Sequence, residues 1–198
     1  MAQSTGLETT LSFGDNALIS SHLEGNEYAF QVLVERYQDK LVNYIYNLVG
    51  DYEQAVDLGQ ETFIRVFKHA HRYHAKYQFS TWIYRIATNL ALDEIRRRKR
   101  RSRSFTYRLF FQQEEQDIPL EHDGPSPECS LDRKEQIQML QAALNSLPDK
   151  YRLVFMLREV QELSHEEVGK VLKLSVGTVK SRLHRAKKLL RQKLTRVR

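Results

Sequence analysis

The chain has 198 residues, 41% of them hydrophobic and 28% charged, with a net charge of +6 at neutral pH. That length holds one domain or two small ones, the composition is that of a folded globular protein, and the excess of cations favours an anionic partner. A single cysteine, Cys129, excludes an internal disulfide and any cysteine-rich zinc site. No stretch approaches membrane-spanning length, and the N-terminus lacks the basic start and apolar core of a signal peptide, so a cytoplasmic location is expected.

Residues 1–14 are small and polar with no sustained period, which predicts a disordered tail. Asp15 or Asn16 is placed to cap a short helix ending at Gly25, and Asn26 to cap a longer one. In that longer helix Phe30, Leu33, Val34, Tyr37, Leu41, Ile45 and Leu48 recur at spacings of three and four, the mark of a half-buried helix. Gly50 ends it and Asp51 opens a third helix, whose expected inward stripe is Val56, Gly59, Phe63, Phe67 and Ala70. A second face of the third helix carries Asp57, Gln60, Glu61 and Ile64. By periodicity alone a solvated acidic face is the simpler reading; apolar Ile64 among the polar residues also suits a docking patch.

Between His69 and Phe79 the pattern loosens into HAHRYHAKYQF. Three histidines invite a metal reading, but the loop carries no Cys or carboxylate to complete a zinc site. Interleaved aromatic and basic residues such as His74 and Tyr77 suit stacking on unpaired bases with cations near phosphates, and plain packing of the tyrosines is the alternative. Ser80 or Thr81 is expected to cap a fourth helix with Ile83, Ile86, Ala87, Leu90 and Ile95 inward. Trp82, Arg85, Asn89 and Arg96 line up on another side, where a tryptophan can close a core or wedge against bases. The helix ends in six consecutive cations, Arg96 to Arg101, which repel one another and gain most from a phosphate backbone.

Residues 102–130 hold three of the four prolines, Gly124 and six acidic residues, and read as a flexible acidic linker. Cys129 at its far end is an incidental thiol. Helix resumes with Ile137, Leu140, Leu144 and Leu147, and Pro148 opens a further helix from Asp149 to Glu159. Ser164 and Glu167 then form an S-x-x-E capping box, in which the hydroxyl takes a free backbone N–H and the carboxylate reaches back to the cap. Val168, Val171 and Leu172 face inward, the run stops at Lys173-Leu174-Ser175, and Ser175 caps a last helix with Val179, Leu183, Ala186, Leu190 and Leu194 on its inner stripe. From Lys180 to Arg198 there are nine Lys or Arg and no Asp or Glu. A short turn followed by a basic second helix is the pattern of a helix-turn-helix that enters the major groove, with an ordinary helical hairpin as the plain alternative. The whole reads as an all-α protein of two small helical domains: 15–101 and 131–198.

Four stretches in order carry a resemblance: Asp57-Leu58-Gly59-Gln60-Glu61-Thr62-Phe63, Phe79-Ser80-Thr81-Trp82-Ile83-Tyr84-Arg85-Ile86-Ala87-Thr88-Asn89, Leu147-Pro148-Asp149-Lys150-Tyr151-Arg152, and Val176-Gly177-Thr178-Val179-Lys180-Ser181-Arg182-Leu183. With them the chain resembles bacterial sigma factors of the extracytoplasmic-function type, over about residues 15–194. Where that family often carries an acidic D-A-E-D run, this chain has Gln54-Ala55-Val56-Asp57. The resemblance implies a region 2-like domain and a region 4-like domain, with core RNA polymerase and promoter DNA as partners, an anti-sigma factor as regulator, a role in stress response, and neither cofactor nor small-molecule substrate. It implies that Asp57, Gln60, Glu61 and Ile64 dock on the largest polymerase subunit. His74, Tyr77, Trp82, Arg85, Asn89 and Arg96 would meet the minus-10 element. Lys180, Ser181, His184 and Arg185 would read the minus-35 element, with Arg182 and Lys187 on phosphates. The acidic linker of such proteins threads polymerase channels that later carry RNA, and its carboxylates would mimic a transcript there. Two rivals are a stand-alone helix-turn-helix regulator, which binds its operator without polymerase, and a nucleic-acid hydrolase. The sequence offers the second no paired carboxylates at a metal site, no nucleophile motif and no phosphate-binding glycine loop.

Overall fold

The computed structural model describes residues 13–74, 76–109 and 140–195, with side chains as far as Arg101 in the middle segment. Every regular element among them is helical. The expected tail through Ser12, nearly all of the linker with Cys129, and Ile137 lie outside the described residues.

The N-terminal half comprises α1 (Asp15–Leu23), α2 (Glu27–Val49), α3 (Tyr52–His69), a 3-10 turn (Ala70–Arg72) and α4 (Phe79–Leu109). Two of its helix starts follow local chemistry as expected. Asn26 accepts from the Ala29 amide at 3.3 Å and Asp51 from the Gln54 amide at 3.0 Å. Gly50 ends α2 at φ 74°, a conformation that costs other residues a clash at Cβ.

The start of α1 differs from expectation. Gly14 holds the cap position with no side-chain bond, and Asp15 and Asn16 are spent on tertiary contacts instead. The Asp15 carboxylate accepts from Arg36 and from the Tyr37 hydroxyl. Burial, then the bond to Asp15, raises the Tyr37 pKa far above the ordinary phenol value, so the ring stays a neutral donor.

The inner stripe of α3 is also rotated from the expected one. Ala55, Gly59, Thr62 and Val66 are buried, whereas Val56 and Phe63 are half-buried and Phe67 is 55% exposed. Small side chains let α3 approach α2 closely. A Cβ added at Gly59 would lie 3.2 Å from Val42 Cγ2. The large rings are displaced to the flank, where Phe67, Phe30 and His22 stack with centroids 4.9–5.2 Å apart.

Helix α4 begins at Phe79, so Ser80 and Thr81 lie in its first turn rather than at its cap. Tyr84, Thr88 and Ala91 are buried along with the expected Ile83, Ala87 and Leu90, while Ile86 and Ile95 are half-buried. Tyr44 and Thr88 share a fully buried hydroxyl–hydroxyl bond of 2.8 Å. Leaving either group without a partner there would cost about 1–3 kcal/mol. The helix continues past Arg101 to Leu109, since residues 102–108 contain neither Gly nor Pro to stop it. Its cation run is not simply free for phosphate. Arg97 and Arg98 both bind the buried Glu94 carboxylate, Arg96 pairs with Asp93 at 2.9 Å, and Arg98 also reaches Asp51. The bond from Arg97, against the cost of burial and with help from Arg98, holds the Glu94 pKa below the ordinary carboxylate value.

The C-terminal half runs through helical residues 140–145, α5 (Asp149–Phe155), a π-helical turn (Met156–Val160), α6 (His165–Leu172) and α7 (Val176–Thr195). The capping box at Ser164 and Glu167 is present in both directions. Ser175 accepts from the Thr178 amide at 3.2 Å and starts α7. Val179, Leu183, Ala186 and Leu190 form its inner stripe; Leu194, expected there, is 40% exposed. Leu140, expected inward, is 45% exposed and lies with Phe155, Leu190 and Leu194 around an open groove. No helix among the described residues is long and apolar enough to cross a membrane.

The turn of the helix-turn-helix depends on Gly169. A Cβ there would lie 2.8 Å from the Leu174 carbonyl oxygen, which is backbone and accepts no easy shift. Gly169→Ala should lower stability by roughly 1–3 kcal/mol, read as a fall in the urea midpoint at unchanged slope.

Candidate nucleic-acid interface

Three surfaces gather the residues singled out in the sequence. On α3, Asp57, Gln60 and Ile64 are exposed and Glu61 half-buried, on one side of the helix. Ile64 is 45% exposed, an apolar side chain presented among polar neighbours. Glu61 is drawn to Arg65 one turn on, at 2.7 Å.

The second surface is a cleft of about 280 Å³ between the loop after α3 and the first turns of α4. It brings together His74, Tyr77, Trp82 and Arg85, and adds Arg72, Tyr73, Thr81 and Lys170. Asn89 and Arg96 are exposed about one and three turns further along α4 and do not line it. Trp82 rests on Tyr73, with centroids 5.3 Å apart and planes tilted by 40°, and Phe79 meets Trp82 edge-on at 6.1 Å. The loop is held from a distance by Asn16. Its Oδ1 accepts from the Phe79 amide at 3.0 Å and from the Tyr73 hydroxyl at 2.7 Å, and that hydroxyl also lies 2.5 Å from the Tyr77 carbonyl. Burial, then the Asp15 charge, pushes the Tyr73 pKa up to about 12, so it donates at neutral pH. Tyr73 packs against Trp82, and all three rings, Tyr73, Tyr77 and Trp82, line the cleft. Stacking rings beside the guanidinium groups of Arg72 and Arg85 match an unpaired base and its phosphates.

The histidines of the loop do not converge. The rings of His69 and His71 are 6.3 Å apart, and among the described residues no group of three or more His, Cys, Asp or Glu is placed to hold a metal ion.

The third surface is the outer face of α7. Lys180, Ser181, His184 and Arg185 are exposed, Arg182 is half-buried, and Lys187 is turned to Glu159 at 2.9 Å. The Ser181 hydroxyl donates to the Thr178 carbonyl at 3.0 Å. A basic second helix held by a short turn is the arrangement that delivers side chains to base edges in a major groove.

Asn16 and Lys170 were not singled out by the sequence. Asn16 carries only a local capping signal, and Lys170 sits on the polar side of a helix about a hundred residues beyond the loop it meets.

The described residues thus form two helical units, one bearing most of an aromatic and basic cleft and the other a basic helix-turn-helix. Residues 33–101 match the family Sigma-70 region 2, and residues 137–190 match Sigma-70, region 4. The chain is 36% identical over 176 residues to the ECF RNA polymerase sigma factor SigW of Bacillus subtilis, covering 86% of this chain and 91% of that one. It is 37% identical over 193 residues to the ECF RNA polymerase sigma factor SigE of Mycolicibacterium smegmatis, covering 97% of this chain and 68% of the relative. Among solved structures the fold is similar to sigma factor RpoE in complex with the anti-sigma factor NepR from Bartonella quintana, at TM-score 0.69 and 22% identity over 84% of this chain and 96% of that one. It is also similar to CnrH in complex with the cytosolic domain of CnrY, at TM-score 0.67 and 22% identity over 91% and 97%. The chain belongs to the ECF family of RNA polymerase sigma factors, the promoter-recognising subunits of that enzyme.

Asn16→Ala removes the shared acceptor of the Phe79 amide and the Tyr73 hydroxyl. It should destabilise the fold by about 1–3 kcal/mol in urea unfolding and loosen the loop, read as faster amide exchange between His71 and Phe79.

Proposed function

We propose that the three surfaces divide the work of initiation. The α3 face with Asp57, Gln60, Glu61 and Ile64 docks on core polymerase. The cleft of His74, Tyr77, Trp82 and Arg85, continued along α4 by Asn89 and Arg96, receives the minus-10 strand. The outer face of α7 reads the minus-35 element through Lys180, Ser181, His184 and Arg185, with Arg182 and Lys187 nearer phosphates. Residues 15–101 and 131–198 are the two working domains. The convergence of Tyr77, Trp82, Arg72 and Arg85 on one cleft carries this reading. Stacking and phosphate contacts there offset base unstacking, which costs a few kcal/mol per step.

The chain performs no chemistry in this scheme; polymerase catalyses. It acts in the cytoplasm and is restrained by an anti-sigma factor, as its structural relatives RpoE and CnrH are seen with NepR and the cytosolic domain of CnrY.

The test adds the purified chain to core RNA polymerase on a pool of promoter fragments. Promoter-specific initiation is the expected result. Specific DNA binding without polymerase, and no initiation with it, would favour a stand-alone regulator. Lys180→Ala or Arg185→Ala should reduce initiation about 5- to 100-fold from a promoter that needs its minus-35 element, through the loss of about 1–3 kcal/mol of base discrimination. Core binding in the same variants, measured by gel filtration, should be unchanged.

A further inference from the structure

The segment from Tyr73 to Phe79 links the 3-10 turn to α4 and carries three of the cleft's lining residues, Tyr73, His74 and Tyr77. Its two ends meet at one atom. Asn16 Oδ1 accepts from the Phe79 amide at 3.0 Å and from the Tyr73 hydroxyl at 2.7 Å. The other end of the same amide, Nδ2, donates to the Tyr77 carbonyl at 3.4 Å, and the Tyr73 hydroxyl lies 2.5 Å from that carbonyl. One side chain thus engages the first residue of the segment, the last, and the backbone of the exposed ring between them.

Asn16 stands on a firm support outside the cleft. It is half-buried and does not line the cavity. Helix α1, which carries it, precedes the residues matched to region 2 and is locked onto the N-terminal core by the fully buried Leu18 and Ile19. The neighbouring Asp15 accepts from Arg36 and Tyr37 of α2, and the Ser20 hydroxyl donates to the Asn16 carbonyl at 3.0 Å. At the far end of the segment Phe79 is fully buried and meets Tyr37 edge-on at 5.4 Å.

This framework bears on the cleft in two ways. Through the main chain it fixes where the Tyr77 ring starts from, and through the Tyr73 ring it sets the surface on which Trp82 rests, with centroids 5.3 Å apart. A segment that orders only when it meets its ligand charges that ordering to binding, whereas one ordered beforehand does not. The bonds of Asn16 place the cost in folding.

We infer that Asn16 is a positioning residue for the minus-10 cleft. From α1 it holds residues 73–79 in the shape that receives an unpaired base, so selectivity for that base depends on a side chain that does not itself meet the DNA. The shared acceptor, Oδ1, is the working atom, because it alone joins the two ends of the segment. The inference rests on the minus-10 reading of the cleft given above.

The experiment uses the full chain bound to core RNA polymerase and a promoter from which that complex initiates. The promoter is made as a fork probe, duplex upstream and single-stranded through the minus-10 element, with a series of probes carrying one abasic site at each minus-10 position. For the wild-type chain one position should show the largest loss of affinity. The readout is the ratio of intact to abasic affinity at that position. Partial unfolding lowers the active fraction for both probes alike and leaves the ratio where it was; a loosened cleft lowers the ratio. Asn16→Ala should lower it about three- to twentyfold, the scale of one or two hydrogen bonds. Asn16→Asp keeps an oxygen for the Phe79 amide and the Tyr73 hydroxyl and should hold the ratio within about twofold. Tyr73→Phe, which keeps the ring against Trp82, should give a smaller fall than Asn16→Ala. Gel filtration with core polymerase verifies that each variant forms the complex being compared. An unchanged ratio in Asn16→Ala, or a ratio in Asn16→Asp as low as in Asn16→Ala, overturns the proposal. A wild-type scan with no preferred position removes the minus-10 reading itself; a preferred position that Asn16→Ala retains in full removes only the role of Asn16.

Discussion

Helix α4 must satisfy three environments at once, and the rest of the described structure is arranged around that constraint. One side enters the core of the N-terminal half through Ile83, Ala87 and the Tyr44–Thr88 hydroxyl pair. A second meets the helix-turn-helix domain through Thr81 and Tyr84. A third presents Trp82, Arg85 and Asn89 outward. A helix has room for three such stripes only if each is narrow, and the residue types follow: aliphatic and small on the first, hydroxyl-bearing on the second, cationic and aromatic on the third.

That difference between sides has energetic meaning. The first is closed by apolar contact and a buried hydrogen bond, so exposing it would unfold the domain. The second is held by hydrogen bonds from the buried Thr81 and Tyr84 and by the more exposed Lys99–Asp149 pair, with which water and salt compete. Lys99 and Asp149 illustrate the point. Burial raises the Asp149 pKa, but the bond and charge of Lys99, with Arg152, outweigh it and leave the carboxyl below its ordinary value. The pair is intact at neutral pH and weakens only as acid protonates the carboxylate.

Local signals were the legible part of the sequence. The caps at Asn26, Asp51, Ser164 and Ser175 involve residues three positions apart, and all four form. The family resemblance carried the order of the domains. Signals that depend on what lies opposite were misread or invisible. Asp15 and Asn16 looked like caps because nothing local tells that Arg36, Tyr37, Tyr73 and Phe79 compete for them. The α3 stripe was assigned by hydrophobicity, but close approach to α2 selected the smallest residues instead. Arg96 to Arg101 read as a uniform charge run, yet a single buried acid, Glu94, engages two of its members. Of the cleft, Tyr77, Trp82 and Arg85 were found from their chemistry; Lys170 was not, since its partner lies in the other half of the chain.

Glu167 has one oxygen on each side of the boundary between the halves. Its Oε2 accepts from the Ser164 amide at 2.8 Å and holds the first turn of α6, while its Oε1 accepts from Thr81 across the gap. Losing Thr81 leaves the other oxygen, and so the helix start, as it was. The start of α6 is therefore fixed from within its own half and does not depend on the contact with α4.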